Sequence, residues 1–172
     1  MTAALAQPAY VALGSNLSGP RRQVEAAFEA LAGLPHSRLV LRSSLWRSAP
    51  MGPQHQPAFV NAVAGLVTTS SPREFLDRLR ELERSLGKVE PSVRWGPRTI
   101  DLDLLAFGDN KLEEPGLTLP HPGLHQRNFV LYPLSEIAAD LWVPGLARVR
   151  RLRERVSAAG IERLGARGSV DD

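Results

Sequence analysis

The fold of this chain is constrained most by the order in which strand-like and helix-like segments follow one another between residues 10 and 107. Two segments, 18–33 and 71–87, carry apolar side chains at helical spacing with a proline in the first turn. Four shorter apolar segments have the composition of strands, and they span 10–13, 38–46, 59–67 and 99–107. The resulting order, βαββαβ, is typical of a ferredoxin-like α+β sandwich, in which helices pack on an antiparallel sheet.

The ends of both predicted helices carry recognisable signals. Ser18 is a candidate N-cap for the first helix, and Ser71 with Glu74 forms a capping box for the second. Gly33 and Gly87 are placed to end the two helices. The segment 48–57 between the second and third strands is rich in proline and glutamine, which predicts a loop.

Composition excludes several classes of protein. A chain of 172 residues with 43% hydrophobic and 23% charged residues has the profile of one globular domain. No apolar run approaches the roughly 20 residues that a membrane-spanning helix needs. The first residues do not resemble a secretory signal, and zero cysteines exclude disulfides, thiol catalysis and cysteine zinc sites. We therefore expect a cytoplasmic protein without a membrane partner.

The net charge of +3 says little about partners, because a basic run at 148–155 accounts for it. We interpret this run as a solvated helix face and expect no nucleic-acid partner. The main alternative function is an RNA-binding module, since RNA-recognition domains share the βαββαβ order. The third predicted strand lacks the basic and aromatic RNP1 pattern that such modules carry, which disfavours that alternative.

The segment 94–103 carries the strongest chemical signal. Side chains alternate along a strand, so Asp101 and Asp103 share one face, with α-carbons roughly 7 Å apart. Two carboxylates at that spacing suit Mg²⁺, and Arg94 and Arg98 just upstream suit phosphate, which is the combination phosphoryl transfer requires. The alternative is a solvated Asp-x-Asp with surface arginines. Trp95 between the arginines favours a functional site, since solvated loops seldom carry tryptophan.

Other catalytic motifs are absent or incomplete. The chain has no Walker A loop, no G-x-G-x-x-G and no G-x-S-x-G. His121 and His125 have the spacing of an H-x-x-x-H zinc pair, but Pro122 and Gly123 oppose the helix that such a pair needs. A zinc site is therefore disfavoured.

Taken together, four stretches of the sequence resemble the 2-amino-4-hydroxy-6-hydroxymethyldihydropteridine pyrophosphokinases of folate biosynthesis: 12–17, 50–54 with 56–62, 94–105, and 119–122 with 127–129. The pattern Trp-Gly-Pro-Arg-x-x-Asp-x-Asp is the most specific of them. The resemblance covers about residues 10–145 of a single domain spanning 1–172, and 146–172 is a basic C-terminal extension outside it. It implies a ferredoxin-like fold and transfer of the β,γ-pyrophosphoryl group of ATP to 6-hydroxymethyl-7,8-dihydropterin, releasing AMP.

The resemblance also implies residue roles. Asp101 and Asp103 match ligands of two Mg²⁺ ions, and with Arg98 they match the catalytic positions. The positions that match ATP contacts are Lys88, Arg94, Trp95, Arg98, Leu104, Thr118, His121 and Arg127. Those that match the pterin pocket are Ser48, Ala49, Met51, Phe59, Asn61 and Phe129, although both phenylalanines suit core packing equally well. The expected partners are the small molecules ATP and the pterin, and we expect a monomer.

The chain departs from the family pattern after the second helix. Family members often have Arg-x-Arg where this chain has Lys88, Val89 and Glu90, and Gly116 and Pro122 also replace side chains that some relatives use around ATP. A second alternative is therefore a catalytically idle relative retained as a regulator. The intact pair of aspartates, with Arg98, argues against that alternative.

Replacing Glu90 by arginine tests the effect of this departure. We expect Glu90→Arg to tighten the ATP Kd by about 1–2 kcal/mol, or roughly 5- to 30-fold, because a repulsive charge becomes a charge-assisted phosphate contact. Titration calorimetry with a non-hydrolysable ATP analogue measures the change, and Glu25→Arg in the first predicted helix is the control. An unchanged Kd would contradict this explanation.

Overall fold

The computed structural model describes residues 5–17, 19–50, 56–88 and 99–165. These residues form eight strands, four α-helices and a short 3₁₀ helix at Leu124–Gln126. The strands are β1 (Gln7–Ser15), β2 (Ser37–Arg42), β3 (Trp46–Ser48), β4 (Phe59–Thr68), β5 (Asp101–Phe107), β6 (Leu112–Glu114), β7 (Leu117–Leu119) and β8 (Ile161–Arg163). The helices are α1 (Pro20–Ala32), α2 (Pro72–Ser85), α3 (Asn128–Ala138) and α4 (Val149–Glu154).

Six of the strands form one antiparallel sheet in the order β5-β1-β4-β3-β8, with β2 also paired to β4. β2 and β3 together take the place of the second predicted strand. The predicted strands therefore lie in the order fourth, first, third, second, which confirms the ferredoxin-like sandwich. β6 and β7 form a separate hairpin that packs near β5.

Helices cover both faces of this sheet. α1 and α2 pack on one face, where Phe28, Leu31, Phe75 and Leu79 join the inward side chains of β1, β4 and β5 in the larger core. α3 and α4 pack on the opposite face around a second cluster that includes Leu105. These later helices leave part of the second face uncovered, and the cavity described below lies there.

The second predicted strand is interrupted, which corrects the sequence prediction of one strand over 38–46. The register between β2 and β4 shifts between Leu39 and Leu41. Beyond this shift, Ser43 forms two hydrogen bonds with the backbone of Val63. The Ser43 amide donates to the Val63 carbonyl (2.9 Å), and the Ser43 hydroxyl accepts from the Val63 amide (2.8 Å). Because the side chain replaces one ladder bond, the chain leaves the strand and re-enters it as β3. Ser48, which was predicted to lie in a loop, ends β3.

The helix signals are confirmed in part. The Ser71 side chain accepts a hydrogen bond from the Glu74 amide (3.2 Å), as the capping box predicts. At α1 the N-cap is Gly19, which has no side chain to cap the helix and whose φ of 71° places it in the left-handed region. The prediction of Ser18 as that cap is wrong, and Ser18 itself lies outside the described residues.

The basic run near the C-terminus forms α4, with Val149 and Leu152 buried and its arginines exposed. This confirms the prediction of a solvated helix face. After α4 the chain returns to the sheet as β8. Within the ranges that the structure describes, no helix combines the length and the apolar character needed to cross a membrane.

Candidate active site

A cavity of about 240 Å³ opens on the sheet face that α3 and α4 cover only in part. We call it the sheet cavity. Its floor is formed by residues of β1, β3, β4 and β5, and its wall by residues 121–130. Nine predicted site residues line it, namely Ser48, Ala49, Phe59, Asn61, Asp101, Asp103, His121, Arg127 and Phe129. The fold therefore gathers residues from four strands and one helix that are far apart in sequence.

The two aspartates lie side by side on β5 as strand alternation predicts. Asp101 and Asp103 both line the sheet cavity, whereas Leu102 and Leu104 are buried in the core on the opposite face. β1 supports them from one side, with Gly14 opposite Asp101 and Ala12 opposite Asp103. Small residues at these positions leave the space above the carboxylates open.

The carboxyl group of Asp103 is held in an unfavourable environment for its charge. Burial raises the pKa of Asp103 above its usual range, and the neighbouring charge of Asp101 raises it further. His121, and after it Arg80, oppose this shift in part. A carboxylate pair of this kind gains from a cation bound between its members, so the environment suits a metal ligand.

Lys88 supplies a positive charge beside the pair. Its Nζ lies 2.9 Å from Oδ1 of Asp101 and 3.0 Å from Oε2 of Glu83. Burial by itself would lower the pKa of Lys88, but the bonds to Asp101 and Glu83 outweigh it and raise that pKa. The lysine is therefore a cation at the edge of the site.

Glu83 on α2 is the functional residue that the sequence prediction left out. Its side chain is only 3% exposed, and it accepts hydrogen bonds from the Leu102 amide (2.8 Å), Lys88 (3.0 Å) and Arg80 (2.7 Å). Arg80 also donates to the Leu102 carbonyl (2.9 Å). Because Leu102 stands between the two aspartates, this network fixes the strand that carries them.

A signal for Glu83 is present in the sequence. Phe75 and Leu79 begin a buried helical stripe at spacing four, and Glu83 occupies the next position of that stripe. A carboxylate on the buried face of a helix requires partners inside the protein. That argument could have identified the residue, although not its partners on β5.

His121 is oriented by its own turn. Its Nδ1 accepts from the Gly123 amide (3.0 Å), so in the neutral ring the proton lies on Nε2. Burial lowers the pKa of His121, against an opposing effect of Asp103, and keeps the ring neutral at pH 7. A Cβ on Gly123 would lie 2.7 Å from Nε of Arg127, so only glycine leaves the guanidinium in its place. The turn therefore presents one N–H donor and one permanent cation together.

The other end of the cavity is aromatic and amide-bearing. Asn61 is buried and donates from Nδ2 to the Ser48 hydroxyl (2.6 Å), which fixes the orientation of the amide. Gly14 lies next to it, and a Cβ there would be 3.3 Å from the Asn61 Oδ1. Phe59 and Phe129 are half-buried and line the cavity, so neither is a core residue alone. This end suits a flat heteroaromatic ring with polar edges.

The structure does not bring every predicted residue to the cavity. Leu104 is 4% exposed and packs in the core behind β5. Thr118 is exposed on β7 and lines a neighbouring cavity of about 460 Å³, which meets the sheet cavity at His121. Met51, Arg94, Trp95 and Arg98 lie outside the described residues, as does Glu90.

Among residues 5–17, 19–50, 56–88 and 99–165, no three His, Asp or Glu side chains cluster as a ready-made metal site. Mg²⁺ does not require such a cage, since it commonly binds one or two carboxylates together with substrate phosphates and water. The donor set of Asp101 and Asp103, all oxygen and open to the cavity, fits that mode.

Comparison with known proteins identifies the family to which this chain belongs. Residues 10–139 match the family model of 7,8-dihydro-6-hydroxymethylpterin-pyrophosphokinase (HPPK). The 2-amino-4-hydroxy-6-hydroxymethyldihydropteridine pyrophosphokinase of Pseudomonas aeruginosa is 48% identical over 158 residues, which is 92% of this chain and 97% of that protein. The protein of the same name from Haemophilus influenzae is 48% identical over 136 residues, 79% of this chain and 84% of that one.

The fold has relatives among solved structures. The crystal structure of Plasmodium falciparum HPPK-DHPS with pteroate superposes with a TM-score of 0.68 at 12% identity and covers 87% of this chain. The present chain spans 42% of the length of that protein. At this identity the likeness supports the fold alone.

Removing the charge of Asp103 should stabilise the metal-free protein. The raised pKa means that folding favours the protonated carboxyl, so stability is lost as the pH rises above the value of about 4 for an unfolded aspartate. We expect Asp103→Asn to melt at a higher temperature than the parent protein in EDTA, by a margin that grows from pH 4 to pH 7. Calorimetry at each pH measures the two melting temperatures. A difference that is constant or shrinks from pH 4 to pH 7 would contradict a raised pKa of Asp103.

Removing the charge of Glu83 should have the opposite effect. Glu83→Gln places an amide donor against Lys88 or the Leu102 amide, and we expect a loss of about 3 kcal/mol of folding stability. Glu81→Gln, an exposed position on the same helix, is the matched control and should stay within about 0.5 kcal/mol of the parent. Urea unfolding measures both, and equal losses in the two variants would show that the buried network is unimportant.

Proposed function

Since the chain belongs to the 7,8-dihydro-6-hydroxymethylpterin-pyrophosphokinase family, we propose that its sheet cavity carries out the reaction for which the family is named. The chain is a pyrophosphokinase of folate biosynthesis, and it transfers the β,γ-pyrophosphoryl group of ATP to the hydroxymethyl oxygen of 6-hydroxymethyl-7,8-dihydropterin. The observation that carries this proposal is one cavity lined by a carboxylate pair and by an aromatic pocket with a buried amide.

The aromatic end is the pterin pocket. Phe59 and Phe129 stack on the two faces of the ring, and Asn61, held by Ser48, reads its polar edge. Ala49 completes the wall beside Ser48. Met51 joins this pocket on the strength of the family resemblance alone.

The acidic end is the triphosphate site. Asp101 and Asp103 would hold two Mg²⁺ ions, and these ions would neutralise charge on the transferring group and polarise the attacking hydroxyl. His121 donates from Nε2 to a phosphate oxygen, and its neutral ring keeps this proton at pH 7. Arg127 and Lys88 add fixed positive charge on two sides of the phosphates.

The remaining nucleotide contacts rest on the resemblance to the family. Arg94, Trp95 and Arg98 are assigned to ATP, with Arg98 on the transferring phosphates. Thr118 lies beyond His121 in the neighbouring cavity, which supports a nucleotide that extends past the histidine. Leu104 contributes through its backbone, since its side chain is in the core.

The transfer itself needs little covalent chemistry from the protein. A bond forms between the hydroxymethyl oxygen and the β-phosphorus, and the hydroxyl proton is released to solvent. The bond from that phosphorus to the oxygen bridging the α-phosphorus breaks, so that AMP leaves with this oxygen. The residues of the cavity orient the two substrates in line and compensate charge. We further propose that the chain acts as one domain and as a monomer. We also propose a cytoplasmic location, because ATP and the pterin are cytoplasmic metabolites.

The nucleotide product tests this function. Incubation with ATP, Mg²⁺ and 6-hydroxymethyl-7,8-dihydropterin should produce AMP, and omission of the pterin or addition of EDTA should abolish it. Asp101→Ala should lower the turnover at least roughly 100-fold, because a metal ligand contributes several kcal/mol to the transition state. Asp109→Ala, an exposed aspartate beyond the far end of β5, is the matched control. Formation of ADP would indicate a simple kinase or ATPase and would overturn the proposal.

A further inference from the structure

The segment that follows α4 crosses behind the proposed pterin pocket. We call residues 156–165 the C-terminal strap. Its strand β8 pairs with β3, so that Ile161 stands opposite Ser48 and Arg163 opposite Trp46. Bonds beyond the strand extend this contact, since the Ala49 amide donates to the Gly160 carbonyl (3.1 Å) and the Leu164 amide to the Leu45 carbonyl (2.8 Å). The strap thus adds a backbone ladder along the whole outer edge of β3.

β3 is a strand of only three residues, and its position decides the geometry of the pocket. Its inner edge pairs with β4, where Ser48 is opposite Phe59 and Trp46 is opposite Asn61. The Ser48 hydroxyl accepts the 2.6 Å bond that orients the Asn61 amide. A shift of β3 would therefore turn the residue that reads the pterin edge.

Asn128 connects the strap to the opposite wall of the pocket. Its side-chain amide donates to two strap carbonyls, those of Ser157 (2.8 Å) and Ala159 (2.9 Å). Asn128 is the first residue of α3 and stands between Arg127 and Phe129, which both line the sheet cavity. The planar amide of Asn128 has two N–H groups, which suits this pair of acceptors. Directly after Ala159, Gly160 has a φ of 79°, which lets the chain turn into β8.

Beyond Val156, which packs against the second core cluster, the connection rests on these bonds. A cavity of about 390 Å³ separates the strap from the pocket wall, and it is lined on the wall side by Ser48, Ala49, Arg127 and Phe129. Side chains across such a space do not hold one another in place. The Asn128 amide and the β3–β8 ladder therefore tie the strap to both walls, and they act beside the direct contacts of Trp46 on β3 with Glu136 (2.6 Å) and Tyr132 on α3.

We propose that the C-terminal strap is a positioning element for the pterin pocket, and that Asn128 is the positioning residue that couples it to Phe129. The inference rests on the proposed function, because it takes the aromatic end of the cavity as the pterin site. Loosening the strap should weaken pterin binding while leaving the nucleotide end intact, since Asp101 and Asp103 are held from the far side of the sheet by Glu83.

Asn128→Asp tests this coupling, because it keeps the shape of the side chain and removes both N–H donors. We expect the Kd of the pterin to rise at least fivefold and that of a non-hydrolysable ATP analogue with Mg²⁺ to change less than twofold. Hydrogen exchange of the Ala49 amide should accelerate at least tenfold. Asn128→Gln, which retains two donors, should recover part of the pterin affinity.

Glu162→Gln is the matched control on the strap itself. It removes only the exposed ion pair with Arg47 (2.9 Å) and should leave both affinities unchanged. An unchanged pterin Kd in Asn128→Asp, unchanged exchange of Ala49, or an equal loss of pterin and nucleotide affinity with a lower Tm would each overturn the proposal. Failure of the parent protein to bind the pterin would instead contradict the proposed function, and the exchange of Ala49 would still report whether Asn128 holds the strap.

Discussion

The candidate site depends on the two-sided character of β5. The inward side of this strand buries Leu102 and Leu104 in the core, and the outward side places Asp101 and Asp103 at the cavity. Core packing on one face therefore fixes the spacing of the carboxylates on the other. The backbone between them is bonded in addition to the buried Glu83, so the strand cannot slip without breaking a charged network.

Two adjacent carboxylates in a partly buried cavity cost folding stability, and the protein offsets this cost only in part. Lys88 compensates Asp101 and Glu83, while burial and the neighbouring charge of Asp101 keep the pKa of Asp103 raised. Under the proposed function, this residual negative charge would favour a bound cation such as Mg²⁺, and the cation would in turn attract the triphosphate.

The parts of the structure that sequence predicts are those that depend on local pattern. The order βαββαβ, the cap at Ser71 and the shared face of Asp101 and Asp103 follow from periodicity and spacing within a few residues. The break at Ser43 and the network of Glu83 depend on hydrogen bonds to strands 20 and 19 residues away. No local pattern reports such partners, and the same holds for β8, which joins the sheet from the far end of the chain.

The two ends of the cavity are consequently held in different ways. The acidic end is fixed by elements inside the ferredoxin-like core, where α2 and β5 pack on a buried face. The amide end includes β3, which is short and would be an open edge strand without β8. A three-residue edge strand has few bonds of its own, so its order must come from what pairs with it. The C-terminal segment, which follows the residues 10–139 that match the family model, thereby becomes part of the structural support of the site.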